Sequence, residues 1–531
     1  MLTPQMVTAG LPIAIKGELQ NVRYSDPASR TFVSAPKLLF SDRLSKRTGD
    51  PALDLLSDGI ALQSPAIDLS SGKNSLRIHN LDLTARLSMR DTTAGSSANL
   101  AAADIKTVAD SRAATGLPHT PELISFEAPA GLRQFMESYA LHARLKTGMI
   151  DILTPGLRHD NYLANIDLSV NEDDVRLDNV DVMIKRTRGN IKANLGNLRS
   201  FLLNPASEDN PLIADLTVDV DTVNINALAR AYVESKGGME HIPRHDTVTA
   251  SDSVALIVPK NLRVRVDLSA DEILYTNLDL DRLRAKIDMH DGMVDIPNLG
   301  LVTSFGGADL NVRYDSRSLD DLSLNLGLNL NELNIVRMLK KFPSFTRMMP
   351  ELKNVSGSIS AGVTFSTDIF PDMYINMPSV VADAEVEGRK LIVKQSPFIR
   401  KITRMMLIES GDPIHIRDMN IHASIHDNLL QLDPFYFQFD RYKLRMVGVN
   451  NFNGDLYYHI GVEKSPVPFP FSVNIEGEFH HPKLRFGGGR YDTAHAERIT
   501  SQIQEENNMN MVLILRKLLR AFIGEAAKKN W

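Results

Sequence analysis

Ten consecutive residues, 322–331, alternate between leucine and a small or polar residue, and this alternation constrains the fold more than any other feature. The sequence there reads LSLNLGLNLN, so five leucines recur at every second position. Successive side chains of a β-strand point to opposite faces of the sheet, whereas a helix brings residues three or four apart onto one face. The segment is therefore predicted to be a strand with one apolar and one polar face.

The same alternation recurs along most of the chain. Such one-sided strands are typical of antiparallel sheets, because parallel strands are usually buried on both faces. The dipeptides Asp58-Gly59, Asp291-Gly292 and Asp427-Asn428 are typical of hairpin turns. The sequence around residues 290–297, HDGMVDIP, recurs at 426–434 as HDNLLQLDP. We predict a mainly β fold, in which repeated strand–turn–strand units build one long, curved antiparallel sheet that forms a groove.

Short amphipathic helices are predicted between some of the strands. The candidates are Gly131–Lys146, Asn224–Ser235, Asn331–Phe342 and Phe398–Ile408. The longest predicted helix, Ala494–Ala527, ends the chain and carries an apolar stripe beside basic residues. One interpretation is a membrane-surface helix, and the other is a cap on the sheet edge or groove mouth. The membrane-contact candidates are Leu515, Leu518, Leu519, Phe522 and Trp531.

Three regions follow from these patterns. Residues 1–250 are predicted to form the N-terminal part of the groove, with a flexible insertion near 90–121 that is rich in Ala, Ser, Thr and Asp. Residues 251–493 are predicted to hold the clearest groove repeats. Residues 494–531 are predicted to form the C-terminal amphipathic helix.

Composition excludes several classes of function. The chain has no cysteine, so disulfides, thiolate nucleophiles and cysteine metal ligands are excluded. A formal net charge of -6 at pH 7 provides no basic field for nucleic acid. No stretch approaches the ~20 consecutive apolar residues of a membrane-spanning helix. The first residues do not resemble a signal peptide, and we expect an upstream segment that is absent here.

The candidate reactive groups fit ordinary surface roles better than catalysis. His241 and His245 are spaced like a metal pair, but Pro243 between them excludes the helix such a pair needs. The paired carboxylates, Asp219 with Asp221 and Asp279 with Asp281, lack the glycine and later glutamate of a calcium loop. The glycines 487–489 lack the spacing of a phosphate-binding loop. We therefore expect a protein that is not an enzyme, with no metal site and no cofactor.

A one-sided sheet of this length must bury its apolar face. The few short helices are insufficient to cover it, so we expect an apolar ligand such as the acyl chains of a phospholipid or another lipid. A dry core between two sheets is the alternative interpretation of the same side chains. The predicted groove lining is Leu322, Leu324, Leu326, Leu328, Leu330, Val294, Ile296, Leu310, Val312, Leu430 and Leu432.

The unit Ala285–Tyr314, AKIDMHDGMVDIPNLGLVTSFGGADLNVRY, resembles the C-terminal region of AsmA-like proteins. A strand, an Asp-Gly turn, two alternating strands and a Gly-Gly precede another strand, and residues 421–462 repeat the pattern with Asp427-Asn428 in the turn. The resemblance is clear over about the last half of the chain. It implies relatives among TamB-like and bridge-like lipid-transfer proteins, and it implies no catalytic residues.

The resemblance further implies a cell-envelope protein of Gram-negative bacteria, located in the periplasm and anchored in the inner membrane by an N-terminal segment. The expected function is phospholipid binding and transport that supports outer-membrane biogenesis, with the envelope membranes as partners and no nucleic acid. The alternative is a structural scaffold that assists outer-membrane protein assembly through an exposed strand edge. A carbohydrate-active β-solenoid enzyme is a third hypothesis, which would need a pair of carboxylates in a cleft.

Overall fold

The computed structural model is mainly β, as the sequence predicts. It describes residues 13–28, 30–46, 55–89, 123, 130–154, 161–204, 207–235, 255–275, 278–341, 350–406, 408, 411, 413–417, 419–440, 442–452, 454–464, 472–478, 481–487, 490–499, 511 and 513. The predicted insertion near 90–121 and the pair His241 and His245 lie outside these residues.

The described strands form a single 23-stranded sheet. The strands are β1 (Ile13–Asp26), β2 (Thr31–Lys46), β3 (Leu55–Ser71), β4 (Asn74–Met89), β5 (Tyr139–Leu153), β6 (Tyr162–Asn171), β7 (Asp174–Ile184), β8 (Thr187–Gly196), β9 (Leu212–Asn224), β10 (Leu262–Tyr275), β11 (Leu278–His290), β12 (Met293–Thr303), β13 (Gly306–Asp315), β14 (Leu322–Asn334), β15 (Val355–Ile369), β16 (Val381–Val393), β17 (Ile414–Arg417), β18 (Met419–His426), β19 (Leu429–Phe439), β20 (Tyr442–Asn451), β21 (Asp455–Lys464), β22 (Ser472–Glu478) and β23 (His481–Gly487).

Strands that follow one another in the chain are neighbours in the sheet. β1 to β16 pair in sequence order. The short β17 and β18 both lie between β16 and β19, and β19 to β23 continue the order. Among the described strands, every pair is antiparallel except β9 with β10. The sheet is therefore continuous across residue 250, and the parallel pair lies at that point.

The hairpin turns predicted at Asp291-Gly292 and Asp427-Asn428 are confirmed, and the one predicted at Asp58-Gly59 is wrong. The turns Asp291-Gly292 and Asp427-Asn428 have positive φ angles, at 46° and 82° and at 50° and 60°. This is the backbone that a two-residue turn between twisted strands requires. Asp58-Gly59 lies inside β3, where Arg43 faces Gly59 and Leu44 faces Ser57. The extra residue, Asp58, forms a bulge in a strand that continues beyond it.

Six short α-helices with described bounds connect the strands or follow them, and two 3-10 helices, Pro350–Asn354 and Met377–Ser379, flank β15. The α-helices are α1 (Ala130–Ser138), α2 (Leu198–Leu203), α3 (Ile225–Ser235), α4 (Ile335–Lys341), α5 (Pro397–Met405) and α6 (Thr493–Ala496). The predicted helix Gly131–Lys146 is wrong in its second half, because β5 begins at Tyr139. Leu141, Ala143 and Leu145 alternate there with polar residues, and this period-two pattern suits a strand.

The predicted helix Ala494–Ala527 is described only in part. α6 ends at Ala496 and a turn follows at residues 497–498, so the helix is not continuous from Ala494. Met511 and Leu513 are helical. The membrane-contact candidates Leu515, Leu518, Leu519, Phe522 and Trp531 lie outside the described residues.

In some strands the alternation of apolar and polar residues shifts by one position. A bulge at that point keeps the apolar side chains on one face. In β7, Leu177 faces Ala193 and Val180 faces Ile191. Ala193 and Ile191 are two residues apart, so Leu177 and Val180 share a face although they are three apart. The extra residue, Asn179, has a left-handed backbone with φ 51°. Asparagine tolerates that conformation better than most residues.

The same local sequence marks three other breaks in strand pairing. An asparagine with positive φ, preceded two positions earlier and followed immediately by an apolar residue, occurs at Asn21, Asn80 and Asn165. Asn80 lies opposite Pro65, and Asn165 lies opposite Gly148, and in both places the pairing resumes in the same register. These breaks therefore interrupt the ladder without adding a residue, unlike the bulge at Asn179.

Two buried hydroxyls hydrogen-bond to backbone carbonyls beside these breaks. The Ser64 hydroxyl lies 2.8 Å from the carbonyl oxygens of both Lys37 and Ala66, and its one proton is shared between them. The Thr147 hydroxyl donates to the carbonyl oxygen of His79 at 2.6 Å. A break in pairing interrupts the regular ladder of backbone hydrogen bonds, and an unpaired buried carbonyl is costly. The hydroxyls therefore satisfy acceptors at the breaks.

Strand direction places three helices along one edge of the sheet. β9 is parallel to β10, and antiparallel pairing then gives β14 and β16 the same direction. α3, α4 and α5 follow β9, β14 and β16, so they begin at the same edge, which we call the helix rim. The turns at Asp291-Gly292 and Asp427-Asn428 lie at the other edge, which we call the opposite rim.

We expect Asn179→Val to destabilise the fold by about 1–2 kcal/mol, because a β-branched residue is strained in the left-handed conformation. Asn179→Gly should lower the free energy of unfolding by less, because glycine adopts positive φ readily. Urea unfolding of both variants measures the difference. Equal stability of the valine variant and the wild type would show that Asn179 does not impose the bulge.

Candidate functional site

The register of the strands places all eleven predicted lining residues on one face of the sheet. Directly opposed residues of neighbouring strands have side chains on the same side. Leu328 faces Leu310 on one side and Val363 on the other, and Leu326 similarly faces Val312 and Phe365. From Val363 and Phe365 the pairing continues through β16 and β18 to Leu432 and Leu430, while Val294 and Ile296 face Tyr314 and Val312. Their contact with lipid stays a prediction.

One row of cross-strand neighbours on this face is apolar or uncharged from β7 to β23. We call it the central row, and it consists of Val180, Ile191, Val218, Leu268, Ala285, Leu299, Leu310, Leu328, Val363, Ala384, Ala423, Leu432, Gly448, Tyr458, Ile475 and Leu484. Neighbouring strands are about 4.8 Å apart, so the row is roughly 70 Å long. It carries no charged residue.

A second row extends the apolar face through the N-terminal strands. We call it the N-terminal row, and it consists of Phe40, Leu62, Leu83, Leu145, Leu168, Leu177, Ala193, Leu216, Val266 and Ile287. Its last member, Ile287, lies beside Ile296 at a bulge between β11 and β12. The two halves of the chain therefore present one continuous apolar face.

The leucines of β14 form the floor of a trough. Leu322 is fully buried, at 0% exposure, whereas Leu324, Leu326, Leu328 and Leu330 are partly exposed. A dry core between two packed sheets buries such side chains on the inner face completely. The partial exposure of four neighbouring leucines leaves apolar surface on which a ligand can lie.

One wall of the trough is built by a segment that precedes β10. Ala255 and Ile257 pack with Leu322, Ile369 and Met373. The Tyr314 hydroxyl donates to the carbonyl oxygen of Leu256 at 2.6 Å, which fixes the segment over the sheet. Burial raises the pKa of Tyr314 to about 12. Tyr314 therefore stays protonated as a donor throughout the physiological pH range.

The described part of the C-terminal segment joins the same wall. Met511 packs in the cluster of Ala255 and Leu322, and its backbone N–H donates to the carbonyl oxygen of Met373 at 2.8 Å. This position fits a cap at the groove mouth, which was one of the two interpretations of the C-terminal helix. The interpretation as a membrane-surface helix stays a prediction.

The other wall lies at the helix rim. Phe305, from the turn between β12 and β13, packs on Leu333, and Met338 of α4 packs against both. Leu330 borders the same cluster. Leu324, Leu326 and Leu328 therefore lie between two walled ends of β14.

The C-terminal end of the apolar face is covered. Ile399, Ile402 and Met405 of α5 pack on a cluster that consists of Met406, Ile408, Ile414, Phe439, Tyr442, Leu444, Ile460 and Val473. Ile375, Met377 and Val380 cover Phe365 and Ile425 in the same way. The covers leave the apolar face more accessible toward the N-terminal strands, where Ile15, Leu19 and Ile60 are 38%, 48% and 43% exposed.

The other face of the sheet carries ion pairs and is polar except near its C-terminal end, where Tyr457 is buried and stacks on Tyr491 and His495. Arg144 donates from Nη2 to Asp167 Oδ2 at 2.6 Å and from Nε to Oδ1 at 2.8 Å. These bonds from Arg144 hold the pKa of the Asp167 carboxyl below its ordinary value. Arg265 pairs with Asp215, and Arg313 with Asp295. Exposed pairs of this kind contribute little stability, but they keep this face solvated.

One of the paired carboxylates from the sequence analysis, Asp219, lies on this face. Asp219 accepts a hydrogen bond from the Ser269 hydroxyl across the parallel strand pair. Within the described residues, no group of three or more His, Asp and Glu side chains is placed to hold a metal ion. Within the same residues, no helix is both long and apolar enough to cross a membrane.

Comparison with known proteins supplies no family for this chain. A scan against protein-family models and a search of the curated proteins found no match. The geometry of the trough is therefore the basis for the functional argument.

We expect Leu322→Ala to cost about 2–5 kcal/mol, because it opens a cavity under a fully buried side chain. Leu328→Ala should cost less than half of that, because its side chain already contacts solvent. Chemical unfolding of both variants gives the comparison. Equal losses would mean that Leu328 belongs to a dry core, which contradicts an open trough.

Proposed function

We propose that this protein is a non-enzymatic lipid-binding and lipid-transfer protein whose apolar trough holds acyl chains. The observation that supports this most strongly is the continuity of the central row, which carries no charged side chain over sixteen strands. The row is roughly 70 Å long, whereas the hydrocarbon core of a bilayer is about 30 Å thick and contains two layers of chains. Several acyl chains fit along such a row.

Apolar contact alone is sufficient to hold the ligand. Burying one methylene group of an acyl chain contributes about 0.8 kcal/mol, and this contribution has no directional requirement. A chain can therefore move along a row of Leu, Val, Ile and Ala side chains and replace each contact by an equivalent one. Polar headgroups remain in solvent above the walls. Neither movement nor binding needs a catalytic side chain.

The cellular setting of the proposal rests on the resemblance of Ala285–Tyr314 to AsmA-like proteins. We propose a periplasmic location, inner-membrane anchoring through an N-terminal segment, and a role in phospholipid transport to the outer membrane. The envelope membranes are the proposed partners. The strand–turn–strand unit occurs twice, once with an Asp-Gly turn and once with an Asp-Asn turn, and this repetition supports this part of the proposal.

The test is native mass spectrometry with lipid extraction on the purified, detergent-free chain. We expect co-purified phospholipid in the wild type and its loss in the double variant Leu326→Asp with Leu328→Asp, because the carboxylates place two charges in the trough floor. The matched control, Asn325→Asp with Asn329→Asp, adds the same charge on the exposed side of β14 and should retain the lipid.

A second variant shows whether lipid loss in the aspartate variant results from misfolding. Leu328→Trp fills the trough without adding charge and should lower the lipid content in a protein with an unchanged circular dichroism spectrum. Lipid retained in both trough variants, or lost equally in the asparagine control, would overturn the assignment of the site.

A scaffold for outer-membrane protein assembly is the second candidate, and one observation favours it. Within the described residues β1 pairs only with β2, so its other edge presents backbone groups that can accept a further strand. Ile15 and Leu19 on this strand are exposed. A ligand-free mass from a folded wild-type chain would favour the scaffold function over lipid transfer.

A further inference from the structure

α5 separates its apolar and basic side chains onto two sides. The Ser396 hydroxyl accepts a hydrogen bond from the backbone N–H of Ile399 at 3.1 Å and caps the helix start. The apolar residues of α5 pack on the C-terminal cluster of the sheet. Arg400, Lys401 and Arg404 are exposed on the side away from that cluster. The helix therefore presents three cations to solvent at the helix rim.

Other cations lie on the same rim along the C-terminal half of the sheet. Strand direction places the ends of β14, β16 and β21 and the starts of β15 and β20 at this edge. The exposed basic residues at these positions are Arg337, Lys340, Lys353, Lys394, Lys443 and Lys464. The acidic residues Glu332, Asp440 and Glu463 also lie there. Glu332 pairs with Arg389 of β16, and Asp440 accepts a hydrogen bond from the backbone N–H of His415. Positive charge predominates among the described residues of the rim.

The opposite rim of the same strands has the reverse charge. Its turns and strand ends carry Asp315, Asp320, Asp321, Asp427, Asp455 and Glu478. The basic residues described there include Arg317, which is bound to Asp315, Arg263, which pairs with Asp291, and Lys483 near the start of β23. The chain is acidic as a whole, with a net charge of -6, so the basic helix rim is a local feature that overall composition does not explain.

The cations of α5 differ from those of the polar face in their partners. Arg144, Arg265 and Arg313 each bind an aspartate. No ion pair is described for Arg400, Lys401 or Arg404 among the residues that the structure covers. Their charge is therefore available to an external anion.

We propose that the helix rim, centred on α5, docks the protein on the surface of a bilayer that contains anionic phospholipids. Lysine and arginine near such a surface each strengthen binding by about fivefold. The apolar side of α5 already packs on the sheet, so the helix binds the bilayer surface through its charges and does not insert into the hydrocarbon. This inference rests on the proposed function in one respect: docking at this rim brings the trough next to the lipid that it takes up.

The test is flotation of the full-length chain with large vesicles of phosphatidylcholine, with and without about 30% phosphatidylglycerol. We expect binding to the anionic vesicles alone. The triple variant Arg400→Gln, Lys401→Gln and Arg404→Gln should bind about 100-fold more weakly, as three such charges predict. Binding by the wild type should also fall sharply at 0.5 M salt, where screening shortens the range of surface charges.

A matched triple variant controls for net charge. Arg23, Arg86 and Lys192 are exposed on the polar face of the N-terminal strands, and their replacement by Gln removes the same charge away from the rim. This control should bind anionic vesicles like the wild type. Equal weakening by both triple variants, salt-independent binding, or equal binding to neutral vesicles would each overturn the proposal.

Lipid content separates this inference from the proposed function. The α5 variant should still co-purify with lipid, and the Leu326→Asp with Leu328→Asp variant should still float with anionic vesicles. A wild type that is free of lipid but depends on α5 for vesicle binding would refute the trough and retain the docking surface. A wild type that contains lipid but does not bind anionic vesicles would support the trough and refute the docking surface.

Discussion

The structure depends on keeping apolar side chains on one face of the sheet, although the apolar–polar alternation shifts by one residue within several strands. A shift of one residue in a strand moves its apolar set to the other face. The bulges absorb these shifts, as Asn179 does between Leu177 and Val180. Each strand then adds its apolar residues to the same rows as its neighbour. Without this correction the central row would break, and no trough could run across the sheet.

A sheet with one apolar face needs partial cover, and the cover here is uneven. The C-terminal strands carry α5 and the segment Ile375–Val380 over their apolar face. The strand β14 is walled at both ends by Ala255 and Ile257 and by Phe305, while its central leucines are partly exposed. Cover therefore holds the sheet together at its C-terminal end, and the uncovered rows supply the surface for a ligand. In the proposed docking, the charge difference between the rims orients this surface toward an anionic membrane.

The sequence predicts what local patterns encode. Alternation in β14 predicts the apolar face, and Asp291-Gly292 predicts a hairpin, because both signals lie within a few residues. The bulge at Asn179 was not predicted, because alternation alone does not show where a strand gains an extra residue. Its signal is present: an apolar residue, any residue, an asparagine and an apolar residue, as in Leu177–Val180. The wall formed by Ala255 and Ile257 on Leu322 was not predictable, because the contact joins segments far apart in the chain.

If acyl chains lie along the apolar rows, a photocrosslinking series will find lipid at those positions. The chain has no cysteine, so single cysteines at Leu168, Leu268 and Leu328 can each carry a benzophenone label, with Ser169, Asp267 and Asn329 as polar-face controls. After loading with phospholipid and irradiation, we expect lipid adducts at the three row positions and none at their neighbours. Adducts on both faces alike, or at none of the row positions in a lipid-loaded protein, would contradict this expectation.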